Sequence, residues 1–387
     1  MKMTKKVLAA GLAAAMALSL AGCGGNSGTA ATQAAAQAPA DTKAEEAKAD
    51  NGGAESTEAE NSAAENAAAE GTADMPKMTM SIGHNGNMES LNQYVAEQAK
   101  ILLEEKSGGN ITVNIYPNAQ LGSESDMLTS CQEGDLTFLV SGMHALVNTI
   151  PAGAIVDIPF LFDDVEQARA AFSDPTVREL LNRDHEKVGL KMVLLADQGF
   201  RCLTTNKEIK SADDVVGLNI RTLTNPDQVE FWKMLGANPT PIDFSELYLS
   251  LQQGVIDSQE NPYNIINDNK LYEVQKYFTN SNHVYHTVNM LVGTKTYDAL
   301  PDVYKELVGE VCAEVEKLAC EQADKTLDTF KQNLIDNGMV FIDFNELGTI
   351  RGDLKAKTDG IVDIVKKTCQ DDELVDAYLK AVEAATK

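Results

Sequence analysis

The sequence predicts an α/β fold in its larger part, residues 75–387, on three observations. Apolar residues alternate with polar ones in Met78–Ile82 and Ile111–Ile115, Leu136–Val140 is predicted to be a third strand, and the stretches between them have helical periodicity. This order of strands and helices is typical of a parallel sheet with helices on its faces. Residues 301–338 form a long run with helical spacing of apolar side chains. This part of the chain is also long enough for two domains.

The N-terminus has the features of an export signal. Lys2, Lys5 and Lys6 precede an apolar stretch, Val7–Leu20, that is short for a membrane span. Small residues then precede Cys23, as in a lipobox, so residues 1–22 are predicted to be a lipoprotein signal peptide and Cys23 the lipid-bearing first residue of the mature chain. An ordinary signal peptide that happens to contain a cysteine is the alternative. Two or more acyl chains on Cys23 would give a stable anchor on the extracytoplasmic face of the cell membrane.

Residues 24–74 contain no aromatic or large aliphatic side chain. Such a composition cannot bury enough apolar surface to become ordered. Segment 23–74 is therefore predicted to be a lipid anchor followed by a disordered linker. The formal net charge of the whole chain is −26, which argues against nucleic acid as a partner.

The most informative stretch runs from Gly199 to Asn261 and contains Arg201 and Arg221. Arg221 follows two apolar residues at the end of a predicted strand. A planar, permanently charged guanidinium in such a place can bind a carboxylate with two parallel hydrogen bonds. From the residues alone, a surface ion pair is the commoner role of such an arginine.

Several short motifs in this region carry a family resemblance. The chain resembles the extracytoplasmic solute-binding subunit of TRAP (tripartite ATP-independent periplasmic) transporters, and weaker similarity covers residues 78–338. Ser258 stands where the family usually has glycine. The motifs are Gly217–Arg221, Leu235–Ala237, Pro239–Pro241, Phe244–Glu246, Asp257–Pro262, Tyr272–Tyr277 and Asn282–His283.

The resemblance implies a two-lobed periplasmic-binding-protein-like fold with hinge strands. It also implies that the helix at 301–338 spans both lobes, whereas the residues alone leave a coiled coil open. The first lobe is predicted to comprise residues 75–198 plus 287–326. The second lobe is predicted to comprise residues 199–286 plus 327–387.

The resemblance also implies a binding site. Arg221 matches the arginine that fixes the substrate carboxylate, and Arg201 matches a second arginine that the family often has. Glu260 would accept ligand hydroxyls or pair with an arginine in the empty state. Asp227, Trp232 and His144 are weaker candidates. The predicted ligand-binding residues are Arg221, Arg201, Asn261, Glu260, Phe244, Asn85 and Ser141.

Signals for enzymatic activity are poor. The sequence has no His-Glu-x-x-His, Gly-x-Ser-x-Gly or phosphate-loop motif, and no metal or cofactor is predicted. The predicted function is therefore that of a monomeric, extracytoplasmic solute-binding lipoprotein that captures a small organic acid, either a C4-dicarboxylate or a sugar acid. Its partners would be the TRAP membrane permease subunits. The alternative function is a ligand-sensing lipoprotein that feeds a signalling receptor.

Overall fold

The computed structural model of the protein describes residues 76–387. The predicted signal peptide, Cys23 and the linker lie outside the described residues, so these assignments stay predictions. None of the helices in the described part is long and apolar enough to cross a membrane.

The described part alternates strands and helices along its first half. In chain order, the elements up to the first long strand are β1 (Met78–Gly83), α1 (Leu91–Lys106), β2 (Ile111–Tyr116), α2 (Glu124–Glu133), β3 (Phe138–Ser141), α3 (Val165–Phe172), α4 (Pro175–Lys187) and β4 (Leu190–Thr205). The next elements are β5 (Asn219–Thr222), α5 (Pro226–Met234), β6 (Asn238–Pro241), α6 (Leu247–Gln252), β7 (Ser258–Asn261), α7 (Tyr263–Asp268), β8 (Tyr277–Thr279) and β9 (Val284–Gly293). The last are α8 (Thr294–Asp298), α9 (Asp302–Asp336), β10 (Val340–Ile342), α10 (Ile350–Lys357), α11 (Ile361–Cys369) and α12 (Asp372–Ala385).

The first three strands confirm the predicted parallel arrangement. β1 lies between β2 and β3 and is parallel to both. Their inward-facing side chains, such as Met80, Ile82 and Val113, are buried in one apolar cluster together with α1. The two-residue period of the sequence thus becomes one buried face of a sheet.

Two long antiparallel strands, β4 and β9, connect the two lobes. The full strand order is β2-β1-β3-β9-β4-β7-β5-β6, and β8 and β10 pair off this path beside β4. β4 pairs with β9 along the first lobe and with β7 and β8 in the second. The pairing of β4 with β9 is irregular between Asp197 and Phe200, where Gly199 has a φ of +78° that favours glycine. These are the predicted hinge strands.

The long helix α9 confirms the prediction for residues 301–338. Pro301 precedes it, and Gly338 follows it with a φ of +93°. Its first half, including Val308 and Val315, is buried in the core of the first lobe. Leu334, near its end, is buried with Phe278 in a core of the second lobe. One continuous helix therefore spans both lobes.

In the C-terminal region, three helices follow β10. α12 buries Leu374, Val375 and Tyr378 against α3 and α4, and the ring of Tyr378 lies 5.0 Å from that of Phe172. By its contacts, α12 belongs with the first lobe. The lobe boundaries otherwise stay a proposal.

Candidate functional site

A pocket lies at the carboxyl ends of strands from both lobes, the usual position of a ligand in an α/β sheet. It has two overlapping compartments, one around Arg201 and one around Arg221. Counted with their open mouths and the solvent space in them, these compartments enclose about 550 Å³ and 470 Å³ of space not filled by atoms. The residues shared by the two compartments are Asn85, Glu124, Ala145, Leu223 and Phe244.

Arg221 lies near the end of β5 and is only 1% exposed. β6 and β7 flank β5 on its two sides. The Nε group of Arg221 donates a hydrogen bond of 2.8 Å to the carbonyl of Ile242. Its Nη1 and Nη2 are buried and have no hydrogen-bond partner. Burial, together with the nearby charge of Arg201, lowers the pKa of Arg221 to about 10.

Arg201, in contrast, is fully paired. It ends the β4–β9 pairing, and the β4–β7 register beyond it places Glu260 beside it. Its Nε donates to Glu260, and its Nη2 donates to Oε1 of Glu260 at 2.7 Å, to the Glu260 carbonyl at 2.6 Å and to Oδ1 of Asn261 at 3.1 Å. Its Nη1 lies 2.7 Å from Nδ1 of His286 and 3.5 Å from Nε2 of His144. Every N–H direction of this guanidinium therefore has an acceptor.

Glu260 is the centre of a buried network. Although burial alone would raise its pKa, the positive charge of Arg201 and the hydrogen bonds from Arg201 and His283 lower the pKa of Glu260 to about 2. Nε2 of His283 lies 3.1 Å from Oε2 of Glu260, and its ring stacks on Phe231. Burial lowers the pKa of His283. In the structure, Glu260 therefore forms an ion pair with Arg201.

Three further predicted residues line the pocket. Asn261 lies at the end of β7, and its Nδ2 donates to Gln259 at 2.6 Å. Asn85 follows β1 in the first lobe and accepts a long hydrogen bond of 3.5 Å from Asn92. Phe244 is half-buried and borders both compartments. The structure brings these side chains together with both arginines; their contact with a ligand remains a proposal.

Ser141 lies behind the pocket wall and does not line either compartment. Its hydroxyl donates a hydrogen bond of 2.5 Å to Oε1 of Glu124. Glu124, the first residue of α2, faces both compartments. Burial raises the pKa of Glu124, and the charges of Arg221 and Arg201 oppose that effect.

Sequence reasoning missed Glu124, His286 and Asp268 as pocket residues, and ranked His144 low. The rings of His144 and His286 meet edge to face at 4.3 Å. Burial lowers the pKa of both, to about 3 for His144, so both imidazoles are neutral. Burial raises the pKa of Asp268 to about 7. The sequence offered little sign of them, because His144 comes shortly after the predicted strand Leu136–Val140 and Glu124 begins a helix, whereas His286 lies inside a strand.

Asp227 and Trp232 lie outside the two compartments. Asp227 is close to Asp157, and both are buried beside Asn225, which donates to Asp157 at 2.7 Å and to the His144 carbonyl at 2.9 Å. Burial raises the pKa of Asp157 to about 8, and that of Asp227 to about 6. Across residues 76–387 no group of three or more metal-ligating side chains is arranged to hold an ion.

The chain matches known proteins over most of its length. The model of bacterial extracellular solute-binding protein family 7 matches residues 82–359. A solute-binding protein of Verminephrobacter eiseniae is 35% identical over 244 residues, which cover 62% of this chain and 72% of that protein. The 2,3-diketo-L-gulonate-binding periplasmic protein of Escherichia coli K12 is 27% identical over 266 residues, covering 67% of this chain and 81% of that protein.

A solved structure shows the same fold. It is a TRAP periplasmic solute-binding protein from Haemophilus influenzae with bound L-gulonate, 26% identical, with a TM-score of 0.74 over 80% of this chain and 100% of that chain. The two-lobed architecture, the hinge strands and the long helix are thus features of a known group of transport proteins. The chain belongs to family 7 of the bacterial extracellular solute-binding proteins, and is a TRAP-type solute-binding protein.

Proposed function

We propose that the protein captures a small organic acid outside the cell membrane and delivers it to the permease subunits of a TRAP transporter. The observation that carries this proposal is the guanidinium of Arg221, whose Nη1 and Nη2 are buried without a partner at the pocket wall. Buried donors are nearly always satisfied in folded proteins. A ligand carboxylate would accept from both nitrogens at once, the geometry in which arginine binds carboxylates best.

The relatives support the same chemical class of ligand. The Escherichia coli relative is named for 2,3-diketo-L-gulonate, and the Haemophilus influenzae structure holds L-gulonate. Each of these ligands has a carboxylate on a short carbon chain. We therefore assign a sugar acid or a related small organic acid to this protein.

Binding would be coupled to closure of the two lobes. Asn85 belongs to the predicted first lobe, whereas Arg221, Phe244 and Asn261 belong to the predicted second lobe. A ligand that contacts both walls stabilises the closed arrangement by the difference between its affinities for the closed and open forms. We infer that the closed, loaded form docks on the permease.

Anchoring and the absence of catalysis are part of the proposal. Removal of residues 1–22 would leave Cys23 as the lipidated first residue, and residues 24–74 would tether a monomeric binding domain to the extracytoplasmic face. The family consists of solute-binding transport proteins, and we assign a binding role, without turnover of the ligand, to this chain.

A thermal-shift screen followed by calorimetry tests the proposal. The acids are succinate, fumarate, glucuronate, L-gulonate and D-galactonate, each added to the purified chain without its signal peptide. At least one acid should raise the melting temperature and bind with 1:1 stoichiometry, and reconstituted permease subunits should take it up only with this protein present. If no acid binds, or if the bound acid is chemically converted, the proposal is wrong.

A further inference from the structure

The proposed function leaves open how many carboxylates the ligand carries. Two arginines in one pocket suggest a ligand with two carboxylates. The two guanidinium groups differ, however, in whether they have N–H groups free to bind a ligand. Arg221 has two nitrogens without a partner. Arg201 already donates to Glu260, Asn261 and His286, and lies within reach of His144.

The imidazoles of His286 and His144 occupy the side of Arg201 that faces the pocket. Since an N–H of Arg201 points at Nδ1 of His286 at 2.7 Å, that nitrogen is an acceptor and His286 is neutral. His144 packs edge to face on the His286 ring and is also buried. A second carboxylate could reach Nη1 of Arg201 only by displacing His286 from a buried hydrogen bond. Arg201 therefore acts on the pocket as a structural cation and not as a free anion site.

The rest of the lining does not offer another cation. Among the described residues that line the two compartments, Arg201 and Arg221 are the only Lys or Arg side chains. Beside the two arginines and the neutral His144 and His286, the titratable groups that face this space are acids: Glu124 in both compartments, Asp268 in the Arg201 compartment and Asp243 in the Arg221 compartment. A second anionic group on the ligand would lie beside these acids and would be repelled.

The remaining polar lining suits hydroxyl groups. Amide side chains dominate the Arg201 compartment, where Asn85, Asn92 and Asn269 face the space together with Gln198. Asn85 has no acceptor for its Nδ2 group within the described part of the chain. Amides both donate and accept, and a carboxylate such as Glu124 accepts, so each can pair with a ligand O–H.

From these contacts we propose that the pocket takes one carboxylate, on Arg221, and that Glu124 and the amides receive the hydroxyl groups of an uncharged remainder. The ligand class is thus small polyhydroxylated monocarboxylates of the aldonate type, and dicarboxylates are excluded. This inference rests on the proposed function, since it assumes that Arg221 binds a carboxylate.

Matched pairs of acids test the proposal. D-Erythronate and meso-tartrate differ only in the last carbon, which is a hydroxymethyl group in one and a carboxylate in the other. D-Galactonate and galactarate form a second such pair. Calorimetry on the wild-type protein should show at least one monocarboxylate binding at least tenfold more tightly than its dicarboxylate partner, at a pH of 7.5 where both carboxylates are charged.

The variant Glu124→Gln tests whether the charge of Glu124 causes the preference for a monocarboxylate. It keeps the size of the side chain and removes its charge, so the preference for the monocarboxylate should fall at least threefold. His286→Leu removes the nearer acceptor of Nη1 of Arg201. This substitution should also lower the ratio of monocarboxylate to dicarboxylate affinity. An unchanged ratio in a folded Glu124→Gln protein would overturn the role of Glu124.

The outcomes separate this proposal from the proposed function. Equal or tighter binding of the dicarboxylate partner, or of succinate, overturns the monocarboxylate class and leaves capture of an organic acid intact. Binding of neither series overturns the aldonate class. The proposed function fails if no organic acid of the thermal-shift screen binds, or if the bound acid is chemically converted.

Discussion

Replacement of Arg221 by methionine tests the carboxylate contact most directly. Methionine has a similar length but no charge and no donor. In the empty protein, Arg221 is a buried cation whose Nη1 and Nη2 lack acceptors. We expect Arg221→Met to remove nearly all ligand-dependent stabilisation while the empty protein stays as stable as wild type or becomes more stable.

The expected magnitude follows from two independent estimates. The pKa of Arg221 falls from its ordinary value of 12.5 to about 10, which corresponds to roughly 3 kcal/mol at about 1.4 kcal/mol per unit. A bound carboxylate can restore most of that free energy. Two charge-assisted hydrogen bonds at about 1.5–3 kcal/mol each give roughly 3–6 kcal/mol. A loss of about 3–5 kcal/mol of binding free energy lowers the affinity roughly 10²- to 10⁴-fold.

Arg201→Met is the matched control, because the same substitution removes a cation that is fully paired. It leaves Glu260 buried without its main partner, which typically costs about 3–5 kcal/mol of stability. The melting temperature of the empty protein should therefore fall in Arg201→Met and not in Arg221→Met. Calorimetry gives the affinity, and thermal unfolding with and without the tightest-binding acid of the screen gives the stability. If Arg221→Met binds that acid within threefold of wild type, the carboxylate assignment is wrong.

The remaining predictions concern stability, pH and anchoring. Glu260→Gln should lower the free energy of unfolding by about 3–5 kcal/mol in urea titrations, because Arg201 loses its counter-charge. Since the pKa of Glu260 is about 2 in the folded protein and 4.5 ordinarily, its stabilising effect is present above pH 4.5 and is lost as the pH falls toward 2; a constant difference from wild type over that range would contradict the pairing. For Asp157 the sign is opposite, because burial raises its pKa from 3.8 to about 8. The wild-type protein should lose stability relative to Asp157→Asn as the pH rises from 4 to 8, by at most about 1.4 kcal/mol per pH unit. Parallel curves of unfolding free energy against pH for the two proteins would refute this. Cys23→Ala in the full-length protein should move it from the detergent phase to the aqueous phase of a Triton X-114 partition, whereas unchanged partitioning would show that Cys23 is not lipidated.

Local patterns predicted the parts of the fold whose stabilising contacts repeat along the sequence. The helix α9 and the strands β1 and β2 have regular apolar periods, and their bounds in the structure differ from the prediction by a few residues at most. The hinge strand β4 extends well beyond the apolar run Leu190–Leu195 with which it begins. Polar Asp197 interrupts the apolar pattern after Leu195, but in the fold its carboxylate is paired with Arg169 at 2.7 Å, and Gly199 absorbs the irregular backbone. The ion pair is not local in the sequence, because Arg169 lies 28 residues before Asp197.

The segment after β6 departs from its local sequence pattern. Asp243 and Glu246 have the spacing of a capping box, but Asp243 makes no side-chain capping bond, and the segment begins with a 3₁₀ turn at Phe244–Glu246. Val255 continues the apolar spacing of Leu247 and Leu251. It is 61% exposed, because the helix ends at Gln252. Helix ends depend on side-chain contacts that periodicity does not contain.

The two arginines show how far the binding site could be predicted from the sequence. In the sequence, Arg221 lies at the end of a predicted strand and Arg201 near the predicted start of the second lobe, and neither position shows which arginine is paired. The partners that distinguish them are remote: Glu260 and His286 come 59 and 85 residues after Arg201. Glu124 looked only like the start of a helix, and its position in the pocket depends on where α2 packs.

The negative net charge of the chain makes the lack of a partner for Arg221 informative. The sequence contains 58 acidic residues, yet no acidic side chain in the described part lies within salt-bridge distance of Arg221. The nearest acids in the pocket are engaged elsewhere or exposed, since Glu124 bonds Ser141 and Asp243 faces solvent. In a protein this rich in carboxylates, a buried guanidinium without a partner lowers the stability of the empty form. The same arrangement raises the affinity for an anionic ligand by a comparable free energy, because the ligand supplies hydrogen-bond acceptors to Nη1 and Nη2 of Arg221.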